Sequence, residues 1–173
     1  MKLYIHRYFR IVVLVLISIP FFVGYPSTIN PSVLPLSVGS PLFESPHTSP
    51  IVVNDKFVYV TNTPSGTVDV IDKEKHTVFT RIAVGVDPVS LAVRPDGKEV
   101  WVSNHISDSV NVIDTDPESW SYHQVVATIQ DIDPYTKETR FDEPVGIAFA
   151  NNKKAYIALS SENQIAVINV GTK

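Results

Sequence analysis

The sequence predicts an all-β protein built from repeated four-stranded antiparallel units, and three observations support this. A short apolar segment, "VYVTN" at residues 58–62, returns 42 residues later as "VWVSN" at 100–104 and more loosely as "AYIAL" at 155–159. Each copy contains runs of β-branched and aromatic residues separated by turn residues, which is typical of strands. No copy shows the 3.6-residue apolar period of an amphipathic helix.

The first 24 residues have the composition of a secretory signal. Lys2, Arg7 and Arg10 precede an apolar run over residues 11–23, and no acidic residue accompanies them. A helix of this run would cover only about 20 Å of a hydrocarbon core about 30 Å thick, so a stable membrane span explains it less well. We expect a hydrophobic signal helix in residues 1–24, with an uncleaved N-terminal anchor as the alternative.

Residues 25–45 form a proline-rich segment that we expect to be a linker. Pro26, Pro31, Pro35 and Pro41 interrupt every regular period. Because proline cannot donate to a β-ladder or continue a helix, the segment should be extended and tether the export signal to the repeats. A docked irregular segment is the alternative, since apolar side chains lie between the prolines.

Composition restricts the classes of function. Hydrophobic residues make up 44% of the 173 residues, and cysteine is absent. Within these residues there can be no disulfide, no thiolate metal site and no cysteine-linked haem, so packing must stabilise the fold. Without residues 1–24 the chain carries 11 basic and 18 acidic groups, a formal charge of −7. Nucleic acid is therefore a poor partner.

The repeats define three units, over residues 46–86, 87–142 and 143–173, and together they form the predicted domain. The first two agree at further places, because "SP" at 45 falls on "DP" at 87 and "TVDVID" falls on "SVNVID". The third is looser but in register, with "QIAVIN" in the place of "SVNVID". Such regular self-similarity indicates one structural unit repeated along the chain.

Each unit needs covering on both faces. Side chains alternate across a strand, so Val58 and Val60 point to one face and Tyr59 to the other. The hairpins that follow the first strands read "ND" at 54, "DG" at 96 and "NN" at 151, and all three pairs tolerate the positive φ of a tight turn. A four-stranded antiparallel unit of about 42 residues with two apolar faces is a propeller blade. We therefore predict a partial β-propeller of four-stranded antiparallel blades, preceded by the signal helix and the linker.

At these motifs the sequence resembles the YVTN-type β-propeller repeat proteins, a family named for this string. The resemblance covers about residues 46–170 and rests on "VYVTN", "TVDVID", "DPVSLAVRPDGKEVWVSN" and "DSVNVID". It implies outer fourth strands at residues 76–84 and 122–129. The third blade departs from the pattern, because "AYIAL" lacks the closing asparagine and no outer strand follows it.

The number of blades is too small for a ring. Two full blades and three strands of a third are present, whereas propellers close with four to eight blades. We expect the chain to be the N-terminal part of a longer protein. If it occurs alone, the outer faces of its first and last blades expose apolar sheet surface, and the chain should associate with itself or aggregate.

No catalytic constellation is recognisable. The five histidines show no metal-ligand spacing, and there is no HExxH, GxSxG or glycine-rich phosphate loop, so we predict no catalytic, cofactor-binding or metal-binding residue. His47 and His105 lie near loops of the type that contact ligands in propellers, or they are solvated loop residues. Asp87 and Glu143 precede prolines that begin inner strands. These two acids either contact a ligand such as a cation or cap turns beside proline.

The second unit carries 14 extra residues, in "TDPESWSYHQ" and "QDIDPYTKETRFDEP". Trp120, Tyr122, Tyr135 and Phe141 lie there among charged residues. Aromatic side chains in such insertions can form a recognition surface for a partner. The alternative is that they fold back over the edge of the blade and cover their own apolar area.

The leading functional hypothesis is an exported, non-catalytic binding or interaction scaffold, located in the periplasm, outside the cell or on its surface. Its ligand would be a protein or a small molecule, its blades would pack on further blades or further copies, and it would touch the membrane only through residues 1–24. The resemblance also implies an alternative, the propeller part of an extracytoplasmic enzyme with catalytic residues elsewhere. That enzyme would be a c-type haem peroxidase or electron-transfer protein, or a lactonase-like hydrolase. A cell-surface structural protein is the third possibility.

Overall fold

A computed structural model describes residues 47–173, which form three antiparallel β-sheets. The predicted signal segment, residues 1–24, and the predicted linker, residues 25–45, lie outside the described residues. Across residues 47–173, no helix has the length and apolar character that a membrane crossing requires. The architecture is all-β and propeller-like, as the repeats predict.

Each sheet follows the order of the chain, so every strand pairs with the next one along the sequence. The first sheet contains β1 (Ile51–Asn54), β2 (Phe57–Asn62), β3 (Thr67–Asp72) and β4 (Thr77–Ala83), with a 3-10 turn at Thr63–Ser65. The second contains β5 (Pro88–Val93), β6 (Glu99–Asn104), β7 (Ser109–Asp114) and β8 (Val125–Ile129). The third contains β9 (Pro144–Asn151), β10 (Lys154–Leu159) and β11 (Gln164–Asn169).

The outer strands lie close to their predicted positions. The strand expected over residues 76–84 is β4, while the one expected over residues 122–129 is the shorter β8. It is shorter because His123 has a φ of 61° and its amide donates to the carbonyl oxygen of Asp114 at 2.8 Å, which holds residues 122 and 123 in a turn. In the described part of the chain, the third sheet has no fourth strand.

Two of the three predicted hairpin turns use a left-handed residue. Asp55 has a φ of 47° and Gly97 a φ of 74°, in equivalent turns of the first and second sheets. The prediction was wrong for the third turn, where neither Asn151 nor Asn152 has a positive φ. There the Asn151 side chain accepts a hydrogen bond from the amide of Lys153 at 2.8 Å, and this Asx-type contact closes the turn instead.

The middle sheet is buried on both faces, so the predicted alternation of side chains is confirmed. Val100 packs in the core between the first and second sheets, whereas the next residue, Trp101, packs in the core between the second and third. The first of these cores contains Tyr59, Val68, Val70, Ile82, Leu91, Val100, Val102 and Ile113. The second contains Trp101, Val110, Val112, Ile129, Phe141, Ala155, Ile157, Leu159 and Val170. Each core thus joins two successive repeats.

The asparagine that ends "VWVSN" links two sheets. Asn104 Nδ2 donates to Ser109 Oγ at 3.1 Å and to Asn111 Oδ1 at 2.8 Å, and Asn111 Oδ1 also accepts from the amide of Gly85 at 2.8 Å. Gly85 follows the outer strand of the first sheet, and a Cβ there would lie only 2.6 Å from Asn104 Cγ. The glycine is needed for this close approach.

The outward faces of the first and third sheets expose apolar side chains, as predicted. Ile51, Val53 and Val78 of the first sheet are 57%, 56% and 54% exposed. Ile165 and Val167 of the third are 67% and 60% exposed. Single exposed aliphatic residues are common on protein surfaces, but a row of them on one face of a sheet indicates a surface that another element covers.

Candidate functional site

Three of the predicted site residues converge at one end of the sheets, although they lie up to 56 residues apart. Asp87 precedes β5, His105 follows β6 and Glu143 precedes β9. The His105 Nδ1 atom lies 3.5 Å from Asp87 Oδ2, and its Nε2 atom lies 3.8 Å from Glu143 Oε2. We call Asp87, His105 and Glu143 the rim cluster, and it brings together residues of the second and third repeats.

The backbone holds the rim cluster in place. The amide of His105 donates to the carbonyl oxygen of Asp87 at 2.9 Å, and the amide of Ser160 donates to that of Glu143 at 3.0 Å. Asp87 and Glu143 have φ values of 62° and 48°, and each precedes a proline. Left-handed non-glycine residues are uncommon and tend to occur at functional sites or tight turns. Here the same unusual geometry recurs at the start of two inner strands.

A third acidic residue, Asp108, adjoins the rim cluster, and the sequence pattern did not reveal it. Its Oδ1 atom accepts a hydrogen bond from the Glu143 amide at 3.0 Å. Burial raises the pKa of the Asp108 carboxyl and the nearby Asp142 carboxylate raises it further, against the lowering effect of this hydrogen bond. Its φ of 46° matches those of Gly66 at 61° and Asn163 at 53°, the residues at its place in the other repeats. In the sequence, the signal that could have identified Asp108 was its alignment with Gly66 and Asn163, since all three residue types tolerate the left-handed conformation.

The geometry of the rim cluster suits ion pairing better than metal binding. The two carboxylates lie against different nitrogens of one imidazole, so they do not surround a common point. Within residues 47–173, no group of three or more histidine, cysteine, aspartate and glutamate side chains has the arrangement to hold a metal ion. When His105 is protonated, the cluster places one cation between two anions.

His47 is not part of the rim cluster. It is exposed, and it lies at the first residue that the structure describes. Its neighbour Thr48 reaches another repeat instead, because Thr48 Oγ1 donates to the carbonyl oxygen of Val145. Ser49 likewise forms a parallel bridge with Ser90, so the residues before β1 lie along the inner strands of the later sheets.

The four aromatic residues of the insertions divide into two pairs. Trp120 is 90% exposed and Tyr135 is 92% exposed. By contrast, Phe141 is only 3% exposed and packs in the second core, and the Tyr122 ring stacks on the His123 ring with their centres 3.8 Å apart. The folding-back alternative therefore describes Tyr122 and Phe141, and it is wrong for Trp120 and Tyr135.

His123 lies at the centre of an aromatic group that the sequence analysis also missed. Its Nε2 atom is 2.9 Å from the Tyr59 hydroxyl, and its ring meets those of Phe57 and Phe79 edge to face at 4.9 and 5.6 Å. Burial lowers the pKa of His123, although the Asp114 carboxylate opposes this change. The lowered pKa favours the neutral form of this histidine in the interior. Nothing in the sequence indicated its role, because His123 has no histidine partner at the spacing of a metal or catalytic motif.

A recess of about 240 Å³ lies beside this aromatic group, between the first two sheets. Its lining includes Asp55, Phe57, Tyr59, Lys98 and Tyr122. The volume is below the range of pockets that enclose drug-sized ligands, which begins at about 300 Å³. The recess is therefore too small to enclose a drug-sized ligand.

Comparison with known proteins agrees with this architecture. The model of the YNCE-like beta-propeller family matches residues 25–168. A search of curated proteins found no match. Among solved structures, Kuenenia stuttgartiensis hydrazine synthase is 31% identical over 72% of this chain and 31% of its own, with a TM-score of 0.55.

Two further solved structures show the fold alone, because their identities are low. The β-propeller domain of Cps50 (Swd1) from Myceliophteria thermophila is 17% identical over 73% of this chain and 35% of its own, with a TM-score of 0.54. A functionally unknown protein from Desulfotomaculum acetoxidans is 18% identical over 69% of this chain and 36% of its own, with a TM-score of 0.54. The chain spans about a third of the length of these three structures. The family match over residues 25–168 covers most of the sequence, and the chain belongs to the YNCE-like β-propeller family.

Proposed function

We propose that this chain is a non-catalytic propeller module that binds other molecules through its loops, and that it works outside the cytoplasm as part of a longer protein. The observation that carries the proposal is the exposure of Trp120 and Tyr135, at 90% and 92%. Both belong to insertions that the first repeat lacks, so the scaffold does not need them. Large exposed aromatic side chains carry much of the binding energy in protein interfaces.

The rim cluster supplies a second contact region of different chemistry. Asp87, His105 and Glu143 come from loops that sheet packing holds in place. The Glu143 side chain is 44% exposed, whereas those of His105 and Asp87 lie behind it at 14% and 0%. Loops on a rigid scaffold are the usual location of binding residues. We expect an aromatic contact at the insertions and a charge-sensitive contact at the rim.

The test of the aromatic contact compares the full chain with a double variant, Trp120→Ala with Tyr135→Ala. Envelope extract of the source organism is cross-linked to each protein, and the captured partner is identified and its affinity measured. If each ring contributes about 2 kcal/mol, loss of one weakens binding by about 30-fold and the double variant weakens it by about 1000-fold. Val126→Ala, an exposed position on β8, is the matched control.

The result separates the two roles of these aromatic rings. Loss of the partner with an unchanged melting temperature supports recognition. Unchanged capture by the double variant, or a large fall in its stability or solubility, contradicts it. Export is tested separately by fractionating cells and sequencing the N-terminus of the mature protein, which should begin beyond residue 24.

The second candidate is the propeller part of an extracytoplasmic enzyme whose catalytic residues lie outside this chain. The 31% identity to hydrazine synthase, over 72% of the chain, favours it. Reading the gene beyond codon 173 is the direct test. A Cys-x-x-Cys-His haem attachment motif downstream would support an electron-transfer or peroxidase enzyme, and further propeller repeats without such a motif would support the binding module.

A further inference from the structure

The recess between the first two sheets is built by three segments of the chain. The turn between β1 and β2 supplies Asp55, the turn between β5 and β6 supplies Lys98, and the connection after β7 supplies Tyr122. That connection spans residues 115–124, whereas the equivalent connection of the first repeat spans only residues 73–76. The inserted residues of the second repeat therefore form part of the recess, and the packing of the sheets does not require them.

Hydrogen bonds join the three segments to one another beside the recess. Asn54 Nδ2 donates to the carbonyl oxygen of Gly97 at 2.8 Å and to Thr115 Oγ1 at 3.1 Å. Thr115 Oγ1 in turn donates to the carbonyl oxygen of Gly97 at 2.7 Å. Each segment contributes one of these three residues, and all three line the recess. The walls are thus held in place before a ligand arrives, which lowers the entropic cost of binding.

Three residues of the lining are aromatic, namely Phe57, Tyr59 and Tyr122. All three contact the buried His123. The Phe57 ring meets its ring edge to face at 4.9 Å, the Tyr122 ring stacks on it at 3.8 Å, and the Tyr59 hydroxyl lies 2.9 Å from its Nε2 atom. Because burial lowers the pKa of His123, the imidazole adds no positive charge behind these rings at neutral pH.

The charged residues of the lining favour a cation over an anion. Asp55, Asp96 and Asp116 are acidic, and Lys98 is the basic residue among them. Lys98 Nζ pairs with Asp116 Oδ2 at 2.6 Å, and Asp96 Oδ1 pairs with Arg94 Nε at 2.7 Å. The one amine of the lining is therefore already engaged by a carboxylate.

The Asp55 carboxylate is the charge that remains available. Within residues 47–173, no basic side chain and no hydrogen-bond donor contacts this carboxylate. It lies near Tyr122, because its charge adds to the larger effect of burial in raising the pKa of that phenol. A carboxylate thus shares the recess with aromatic rings. Such rings attract organic ammonium ions through cation–π interactions, and a carboxylate adds direct charge attraction.

We propose that the recess binds a small methylated ammonium ion that is free in solution, with its positive charge beside Asp55 and Tyr122. The volume of about 240 Å³ suits an ion of a few heavy atoms. A methylated ammonium fits better than a primary one, because the Tyr59 hydroxyl is already paired with His123 and few acceptors remain for three N–H donors. Every residue of the lining belongs to the first two repeats, so the site does not depend on the sheets that adjoin them.

The test titrates the purified full chain with choline and follows binding by ligand-detected NMR. Choline should bind saturably, whereas 3,3-dimethyl-1-butanol, which has the same shape without the charge, should bind far more weakly. Phosphocholine joins the ammonium group to a phosphate, as a lipid headgroup does, and should also bind more weakly because the lining carboxylates repel the phosphate. The proposal is overturned if choline shows no saturable binding, if the neutral alcohol binds equally well, or if phosphocholine binds more tightly than choline.

Two variants locate the site. Tyr122→Leu removes one ring and should weaken choline binding by about 2- to 30-fold, the value of one cation–π contact. Asp55→Asn should weaken it by about 2- to 5-fold, and asparagine tolerates the φ of 47° at this position. Glu138→Gln, which removes a negative charge at an exposed position outside the recess, is the matched control and should leave binding unchanged.

The pattern across the variants decides the outcome. Unchanged binding in Asp55→Asn, or an equal loss in Glu138→Gln, contradicts a site in the recess. The melting temperature of each variant is measured alongside binding. If Tyr122→Leu fails to fold, Asp55→Asn decides the result, because Asp55 lies in an exposed turn whose conformation asparagine keeps.

Discussion

Replacing Trp101 with alanine should destabilise the fold by about 3–5 kcal/mol, the usual loss for a large buried aromatic residue. Its side chain is fully buried, in the core between the second and third sheets, and its ring meets that of Phe149 edge to face at 5.1 Å. The indole Nε1 also donates to Glu99 Oε2 at 2.8 Å. Because Glu99 keeps its ion pair with Arg94 at 2.8 Å, the variant strands no buried charge and the loss is mainly one of packing.

Urea unfolding of the full chain, followed by far-ultraviolet circular dichroism, measures this loss. With a slope of about 1–3 kcal/mol per molar urea, the midpoint should fall by roughly 2 M. Such a loss approaches the whole stability of a marginal domain, about 5–15 kcal/mol, so Trp101→Phe serves as a milder variant that keeps an aromatic ring in the core.

The other tryptophan of the chain is the matched control. Trp120 is 90% exposed, so Trp120→Ala should change the free energy of unfolding by no more than about 0.5 kcal/mol. The same substitution should thus cost much stability at one place in this repeat and very little at another. A loss below about 1 kcal/mol for Trp101→Ala, or an equal loss for the two variants, would refute the view that sheet-to-sheet packing stabilises this protein.

Three further changes should also alter stability. Tyr59→Phe should cost about 1–3 kcal/mol in urea unfolding, because it removes the hydroxyl that pairs with the buried Nε2 of His123; a loss near zero would mean that water replaces the hydroxyl. Burial lowers the pKa of His123 in the folded state, so below about pH 6.5 this histidine binds a proton more readily in the unfolded chain. The free energy of unfolding should therefore decline as the pH falls below about 6.5. His123→Asn should weaken that decline between pH 7.5 and 5.5, and an unchanged pH dependence would exclude His123 as its source. Gly85→Ala should cost about 1–3 kcal/mol, since the added Cβ would lie 2.6 Å from Asn104 Cγ, while Gly171→Ala, with its nearest contact at 3.4 Å, should cost far less; equal costs would mean that the loop yields freely.

Much of the fold was predictable from local patterns. The alternation of Val58, Tyr59 and Val60 assigned side chains to faces, because the two-residue period of a strand leaves no other arrangement. The outer strand β8 was predicted three residues too early, since the left-handed conformation of His123 depends on its hydrogen bond to Asp114 across the insertion. Sequence pattern alone does not reveal such a contact.

The candidate site was predictable only in part. Asp87, His105 and Glu143 were each selected for their positions beside strand ends, but their convergence depends on how the second and third sheets stack. Asp108 and His123 were missed because their environments are made by residues from other repeats. The burial of a side chain and the charges around it depend on which residues the fold places beside it, so the order of residues along the chain is a poor guide to either.

Alternation and turn chemistry over a few residues specify the repeated strands, the turns between them and the two apolar faces of each unit, so these features follow from the amino-acid sequence. The folded protein was needed to show which faces are covered, which of the inserted aromatic residues are buried and which charged side chains meet. Those outcomes depend on contacts between residues far apart in the chain, and the packing of one sheet on the next is what brings them together.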